Sequence, residues 1–428
     1  MSSPAPESTN PPASRLAALA VPAMLAGIGC AVTLIALSVA ANRLQDLLWT
    51  DLPQGLGVAD DSRWWTMAML TAVGVAVGLV VWKVPGHAGP DPATTGLVAE
   101  PLRLSVLPSL TLAIVIGLAG GVSLGPENPI IAINTALTVW VFSRVWRSVP
   151  VEMAVALAAA ATIGAMFGTP VAAALLFTEI AATTPGGRVW DKLFAPLVAA
   201  ASGALTMTAF GAPVFAVSVP PYSEPALVDL VSAVVIALAT ALLCLAAVYA
   251  FPVVHGFFHR LRNPLLAITL GGVLLGLLGA LGGRITLFKG LDEMKQLTDD
   301  SGDMSTSHLL LVTVVKLAAL LIAASCGFRG GRIFPAVFIG VGAGLVAHSM
   351  ISAIPSAVAV SAGVLGAVLV VARDGWLALF MAATTIGDIR ILPVLCVAIL
   401  PLWLLVANRP EMLLTPHAVP APQPKAAR

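Results

Sequence analysis

GGVSLGPENPIIAIN, residues 120–134, decides the reading of this chain. It sets one carboxylate, Glu127, between Pro126 and Pro129 in a sequence that is otherwise largely apolar. A charge at bilayer depth costs about 2.5–3.5 kcal/mol on insertion scales, and residues kept at that cost mark ion or substrate pathways. Gly125, Pro126 and Pro129 interrupt a helix and leave backbone N–H groups free where the next segment starts. Free N–H groups at a helix start favour an anion. A carboxylate held there competes with a transported anion, which is the logic of a gate. Protonation would let it swing out, so opening should be favoured at low pH.

Composition sets the class. Of 428 residues, 58% are hydrophobic and only 10% are charged, with a mean hydropathy of +0.97. A soluble domain carries about 25% charged residues. Apolar runs of about 17–25 residues, each enough to cross the hydrocarbon core, recur along the length. The chain reads as a polytopic, all-α integral membrane protein whose solvent is the lipid bilayer. A net charge of +1 and the lack of any long basic run argue against a nucleic-acid partner. Cys30, Cys244, Cys326 and Cys396 lie in or beside apolar runs without CxxC spacing, so they read as small hydrophobes, with neither disulfide nor metal implied.

The spans divide into two halves. A polar, Pro-rich segment, residues 1–15, precedes a first apolar run from Leu16 to Ala41, too long for a cleaved signal. The first membrane repeat is expected over 16–210, with spans from Trp64 to Val84 and Leu104 to Leu124, apolar segments at 151–163 and 171–182, and a break, GAMFGTP, at 164–170. A Pro-rich connector, 211–225, separates it from a second repeat over 226–409, which contains an acidic loop at 288–307 and a second break, CGFRGGRIFPAVFIG, at 326–340. The tails, 1–15 and 410–428, are expected to be disordered and cytoplasmic, because Arg144, Arg147, Arg260, Arg262, Arg409, Lys425 and Arg428 should face the cytoplasm. Two halves with one comparable break each are the signature of an inverted repeat whose site lies at the repeat interface. Gly272, Gly276, Gly279 and Gly282 have the spacing of close helix packing, and Gly340, Gly342 and Gly344 read the same way.

The second break repeats the chemistry of the first. Gly330, Gly331, Arg332, Ile333, Phe334 and Pro335 free N–H groups at a helix start, where Pro335 is tolerated early in the helix. Arg329 and Arg332 add positive charge that would draw anions toward a mouth.

With these residues in view the chain resembles the ClC family of chloride channels and anion transporters, and within it a short bacterial branch of ion-transport proteins (the YfeO type). GHAGPDP, GGVSLGPENP, GAMFGTP, LFKGLDEM, GFRGGRIFP and ARDGWLALFMA carry the resemblance, which runs from about residue 16 to 412. It implies a ClC-like inverted repeat with broken and tilted helices, a homodimer in the bacterial inner membrane, one pore per subunit and a small inorganic anion, chloride or a related halide, as cargo. No cofactor, metal or catalytic residue is implied.

By motif, the family's gating glutamate falls on Glu127, with Gly125 and Pro126 beside it. The second anion-binding element falls on Gly331, Arg332, Ile333 and Phe334, with the N–H groups of Ile333 and Phe334 as donors. The family's first motif falls near Gly89 and Pro90, without its serine, and the family's central tyrosine falls near Met412. Asp91 would repel anions unless paired. Where proton-coupled members carry two glutamates, only Glu179 remains, as a secondary acid, and Ile180 stands in the second place. That loss favours a passive channel gated by Glu127. The alternative is a proton-coupled anion antiporter, and a lesser one is a membrane scaffold that no longer transports.

An intramembrane hydrolase is the remaining class, because Gly121, Ser123 and Gly125 fit G-x-S-x-G. That elbow needs a strand-to-helix turn and a histidine partner. Ser123 instead ends an apolar span, and neither His87 nor His348 has supporting spacing. No HExxH or Walker A pattern is present, and the chain reads as a transporter, not an enzyme.

Overall fold

A computed structural model describes residues 13–59, 62–183, 187–211, 215–222 and 226–414. Among these the principal elements are all helices: α1 Ala13–Asp46, α2 Arg63–Lys83, α3 Leu107–Ala119, α4 Glu127–Val145, α5 Val151–Phe167, α6 Pro170–Thr183, α7 Val189–Ala209, α8 Leu227–His259, α9 Pro264–Gly282, α10 Leu291–Asp299, α11 Thr306–Ser325, α12 Ile333–Met350, α13 Ser356–Ala372, α14 Gly375–Ile386 and α15 Leu392–Val406. Among the described residues, eight helical segments are long and apolar enough to cross a bilayer. Other apolar helices are shorter: α5 and α13 have 17 residues each, about 25 Å at 1.5 Å per residue and at the lower limit for spanning the roughly 30 Å hydrocarbon layer.

Local sequence explains the ends. Ser62, Asn263, Ser305 and Asp374 cap α2, α9, α11 and α14 by accepting N–H bonds from Trp65, Leu265, His308 and Leu377. Gly168, with φ +67°, closes α5, and Pro170 opens α6. The expected break at 164–170 is therefore narrower, because Gly164, Ala165, Met166 and Phe167 remain helical.

The core is built on close backbone approach. A methyl on Gly272 would lie 2.5 Å from the Leu70 carbonyl and one on Gly276 2.9 Å from Met67 Cα, so the glycine face of α9 seats directly on α2. Gly340 and Gly344 of α12 do the same against α13, where a methyl on Gly340 would meet Val364 Cα at 2.4 Å. Almost every side chain of α13 is buried. A helix apolar all round belongs at the centre of the bundle.

Further expectations change. Residues 13–15, expected in a disordered tail, open α1. The span drawn to Leu124 ends at Ala119, because Gly121 takes φ +88° and turns the chain. The acidic loop at 288–307 contains the amphipathic helix α10, whose Leu291, Met294 and Leu297 are buried. Residues 410–414, expected in a disordered tail, are packed: Met412 is 2% exposed and Leu414 N–H donates to the Ala93 carbonyl at 2.8 Å. Residues 1–12 and 415–428 lie outside the described residues, as does part of the connector, 212–214 and 223–225.

The two halves meet at their breaks. Gly125 and Gly331 pair as an antiparallel bridge, Gly125 N–H to Gly331 O at 2.9 Å and Gly331 N–H to Gly125 O at 2.6 Å. The antiparallel sense means that the segments entering α4 and α12 run oppositely, as an inverted repeat requires.

Candidate functional site: a carboxylate between two helix starts

Glu127 is the first residue of α4 and has no exposed surface. Its Oε1 accepts the Phe334 N–H at 2.7 Å, at the start of α12, and the Ile333 N–H faces the same carboxylate. The side chain of one half thus occupies the free N–H groups of the other. Among the described residues its Oε2 has no hydrogen-bond partner. With the carboxylate in this position only glycine fits beside it: a methyl on Gly331 would lie 1.9 Å from Oε2, and one on Gly125 2.2 Å.

The residues flanking Glu127 open into separate cavities. Pro126 lines one of ≈ 310 Å³ together with Lys289, Asp292 and Glu293. Asn128, Arg332 and Ile333 line another of ≈ 390 Å³, which also reaches Glu179 and Met412. The carboxylate is buried between them.

The structure places the remaining expected residues in the same region of the fold. Pro126 and Arg332 are the residues preceding α4 and α12. Gly89 and Pro90 lie in a non-helical loop; Gly89 presents its carbonyl to Arg329 Nη2 at 3.1 Å, and Pro90 lines a third cavity of ≈ 670 Å³ with Asn128 and Gly330. Arg329 also donates to the carbonyls of Ala88 (2.8 Å) and His87 (3.2 Å), and Arg332 Nη2 donates to that of Pro92 at 2.8 Å. Both arginines therefore stitch the 86–92 loop of one half onto the break of the other, beyond adding positive charge. Asp91 is paired, with His255 Nε2 2.8 Å from its Oδ2. Burial works to raise its carboxyl, but the His255 and Ala93 hydrogen bonds and the charge of Arg329 outweigh that and hold it below the usual carboxylate range.

Some contributors were not visible in the sequence. Phe334 stacks on Phe215 with ring centroids 5.5 Å apart, and Phe167 lies 6.0 Å from both Phe334 and Phe380. Phe167 stands in the GAMFGTP break as its one aromatic, which was the available signal, and Phe215 stands in the connector. Asn128, in the motif itself, donates to the Gly96 carbonyl at 3.3 Å. The hydrolase alternative finds no support: among the described residues Ser123 Oγ has no hydrogen-bond partner, and the His87 and His348 rings engage the carbonyls of Val81 and Ile354.

The model of the voltage-gated chloride channel family matches residues 69–401. The chain belongs to the ClC family. Among curated ClC-type relatives, YfeO of Salmonella choleraesuis, provisionally named an ion-transport protein, is 48% identical over 408 residues, 95% of this chain and 99% of its own length. YfeO of Salmonella newport is 47% identical over the same share of each chain. The ClC fold is seen in solved structures as well. A CLC-type fluoride/proton antiporter aligns over 94% of this chain and 98% of its own, with TM-score 0.73 and 16% identity. A slow cyanobacterial Cl−/H+ antiporter aligns over 91% and 95%, with TM-score 0.75 and 18% identity. At that identity the likeness establishes the fold alone. This ClC chain is a multi-pass membrane protein of an ion-transport family.

Substituting Gly331 by Ala places a methyl on Oε2. The flexible carboxylate, not the backbone, gives way and leaves the Phe334 N–H. The expected result is anion efflux from reconstituted vesicles that exceeds wild type at neutral pH and rises less on acidification. Wild-type efflux with the wild-type pH profile would show that the carboxylate does not control passage.

Proposed function

We propose that this chain carries a small inorganic anion, chloride or a related halide, across the membrane, with Glu127 as the gate. The observation that carries this reading is the bond from the Phe334 N–H to Glu127 Oε1, 2.7 Å long and without exposed surface. A helix start in a dry interior favours an anion, and the carboxylate is an internal anion in that place. Conduction needs it to leave, and protonation removes the charge that holds it.

Proton-coupled exchange is the better supported mode, in place of the passive channel expected from the sequence. Both solved relatives named above are proton antiporters by their titles. Ile180 removes one acid from α6, but Glu179, Asp374 and Glu411 all line the ≈ 390 Å³ cavity that reaches Ile333. Acids therefore remain available on that side of Glu127. Purified protein in vesicles loaded with KCl or KF, with valinomycin to clamp the voltage and external pH recorded with anion efflux, tests the mode. Proton uptake in fixed ratio to anion efflux, above the leak of protein-free vesicles, is expected. Efflux without coupled protons would return the reading to a channel, and no flux of either anion would remove transport of these ions.

A further inference from the structure

A second cluster of ionisable side chains joins the two halves outside the Glu127 site. Asp91 Oδ2 lies 2.8 Å from His255 Nε2 and 3.8 Å from His259 Nε2. The two histidines are four residues apart, one turn along the end of α8, and so share a face. Their rings stack with centroids 4.2 Å apart and planes 26° from parallel. All three ligand atoms fall within 4.8 Å of one another.

The third ligand is oriented from behind. Asp91 Oδ1 accepts the Ala93 N–H at 2.9 Å, which turns Oδ2 toward the histidines. Arg329 spends its N–H groups on the carbonyls of His87, Ala88, Gly89 and Gly327, and among the described residues Asp91 makes ion pairs only with the two imidazoles.

We propose that Asp91, His255 and His259 form a binding site for a divalent transition-metal ion, of which Zn²⁺ is the probe. Two imidazole nitrogens and one carboxylate oxygen suit zinc, whose bonds to such atoms are about 2.0–2.2 Å long; tetrahedral geometry then sets ligand atoms about 3.3 Å apart. The distances of 2.8 and 3.8 Å bracket that separation. His259, 64% exposed at its side chain, has room to make the adjustment. Water completes the coordination from a cavity of ≈ 240 Å³ lined by Asp91, His259, Arg262 and Cys326. On binding, the ion replaces the His255–Asp91 hydrogen bond: the proton on the ring nitrogen facing Asp91 leaves to water while the ring's other nitrogen takes one up, so each imidazole ligates as the neutral form. Magnesium and calcium, which take oxygen ligands, are poor occupants. The ion would clamp the 86–92 loop to α8, and Pro92 of that loop is held by Arg332 at the start of α12. Sequence spacing hid the site, because the carboxylate stands 164 residues before the first histidine.

Metal binding does not depend on the transport reading and is measured separately. The purified full chain is titrated with ZnCl₂ by calorimetry, alongside His259→Ala and His259→Cys, with excess MgCl₂ present in each. One Zn²⁺ per chain is expected for wild type, weakened at least about tenfold by His259→Ala. His259→Cys should retain binding, since thiolate is also a zinc ligand. Saturating Zn²⁺ should raise the melting temperature of wild type and not of His259→Ala, with the two alike in zinc-free buffer. Equal zinc affinity in wild type and His259→Ala would overturn the proposal. So would the absence of saturable zinc binding by wild type.

Discussion

Replacing Glu127 by Gln is expected to abolish proton movement coupled to anion efflux, down to the leak of protein-free vesicles, while anion efflux continues. The amide nearly matches the carboxylate in shape, so its oxygen can still accept the Phe334 N–H that Oε1 accepts at 2.7 Å. It carries no charge and exchanges no proton. A hydrogen bond to a charged group contributes roughly 1.5–3 kcal/mol and a neutral one about 1 kcal/mol. The plug should therefore lose on the order of 1 kcal/mol of preference for the helix start, and an anion should compete several-fold better for the same N–H groups. Efflux should then no longer rise on acidification. The measurement is simultaneous anion and pH recording from reconstituted vesicles over a series of external pH values. Proton coupling preserved in Glu127→Gln would place the proton carrier elsewhere and remove the gate from Glu127.

The contact behind this expectation was legible because its punctuation is local. Gly125 and Pro126 before Glu127, and Gly331 before Ile333, mark two helix starts in the sequence itself. What the sequence could not give is their distance. Nothing in the spacing of residues 125 and 331 states that the two glycines bridge each other, or that the carboxylate of one half lies on the N–H of the other. The loop around Gly89 was hidden for a different reason. Gly86, His87, Ala88 and Gly89 all take positive φ, between 50° and 93°. A non-glycine residue seldom does so, and here the Arg329 guanidinium fastens the carbonyls of His87, Ala88 and Gly89. Charge patterning alone read that arginine as a lure for anions. Asp91 likewise looked unfavourable at a mouth until its partners, on a helix in the other half, were known.

Lys316 shows the same limit, and it carries the largest stability prediction. In the sequence it is one cation in the apolar run of α11. In the structure it has no exposed surface, and Nζ donates to the carbonyls of Thr286 (3.1 Å), Leu287 (2.7 Å) and Phe288 (2.9 Å). The three N–H bonds of an ammonium meet three acceptors, and the cation also lies 4.9 Å from the Phe338 ring centroid. The next link reaches the functional site, because the Phe288 N–H donates to the Gly121 carbonyl at 3.0 Å. Gly121 is the turn that ends the approach of α3 to Glu127, and Trp49 Nε1 holds the adjacent Ala119 carbonyl at 3.0 Å. Lys316→Met preserves volume but strands those acceptors in a dry interior, at a cost of about 3–5 kcal/mol for a broken buried polar cluster. A clear fall in the melting temperature of the detergent-solubilised protein is expected, larger than for Lys316→Arg, which keeps both charge and donors. Folded Lys316→Met should also show reduced flux, because the 286–288 segment no longer fixes Gly121 and the entry to α4. Melting and flux equal to wild type would mean that the three carbonyls find other donors, and that the approach to Glu127 is held by Trp49 and the Gly125–Gly331 bridge alone.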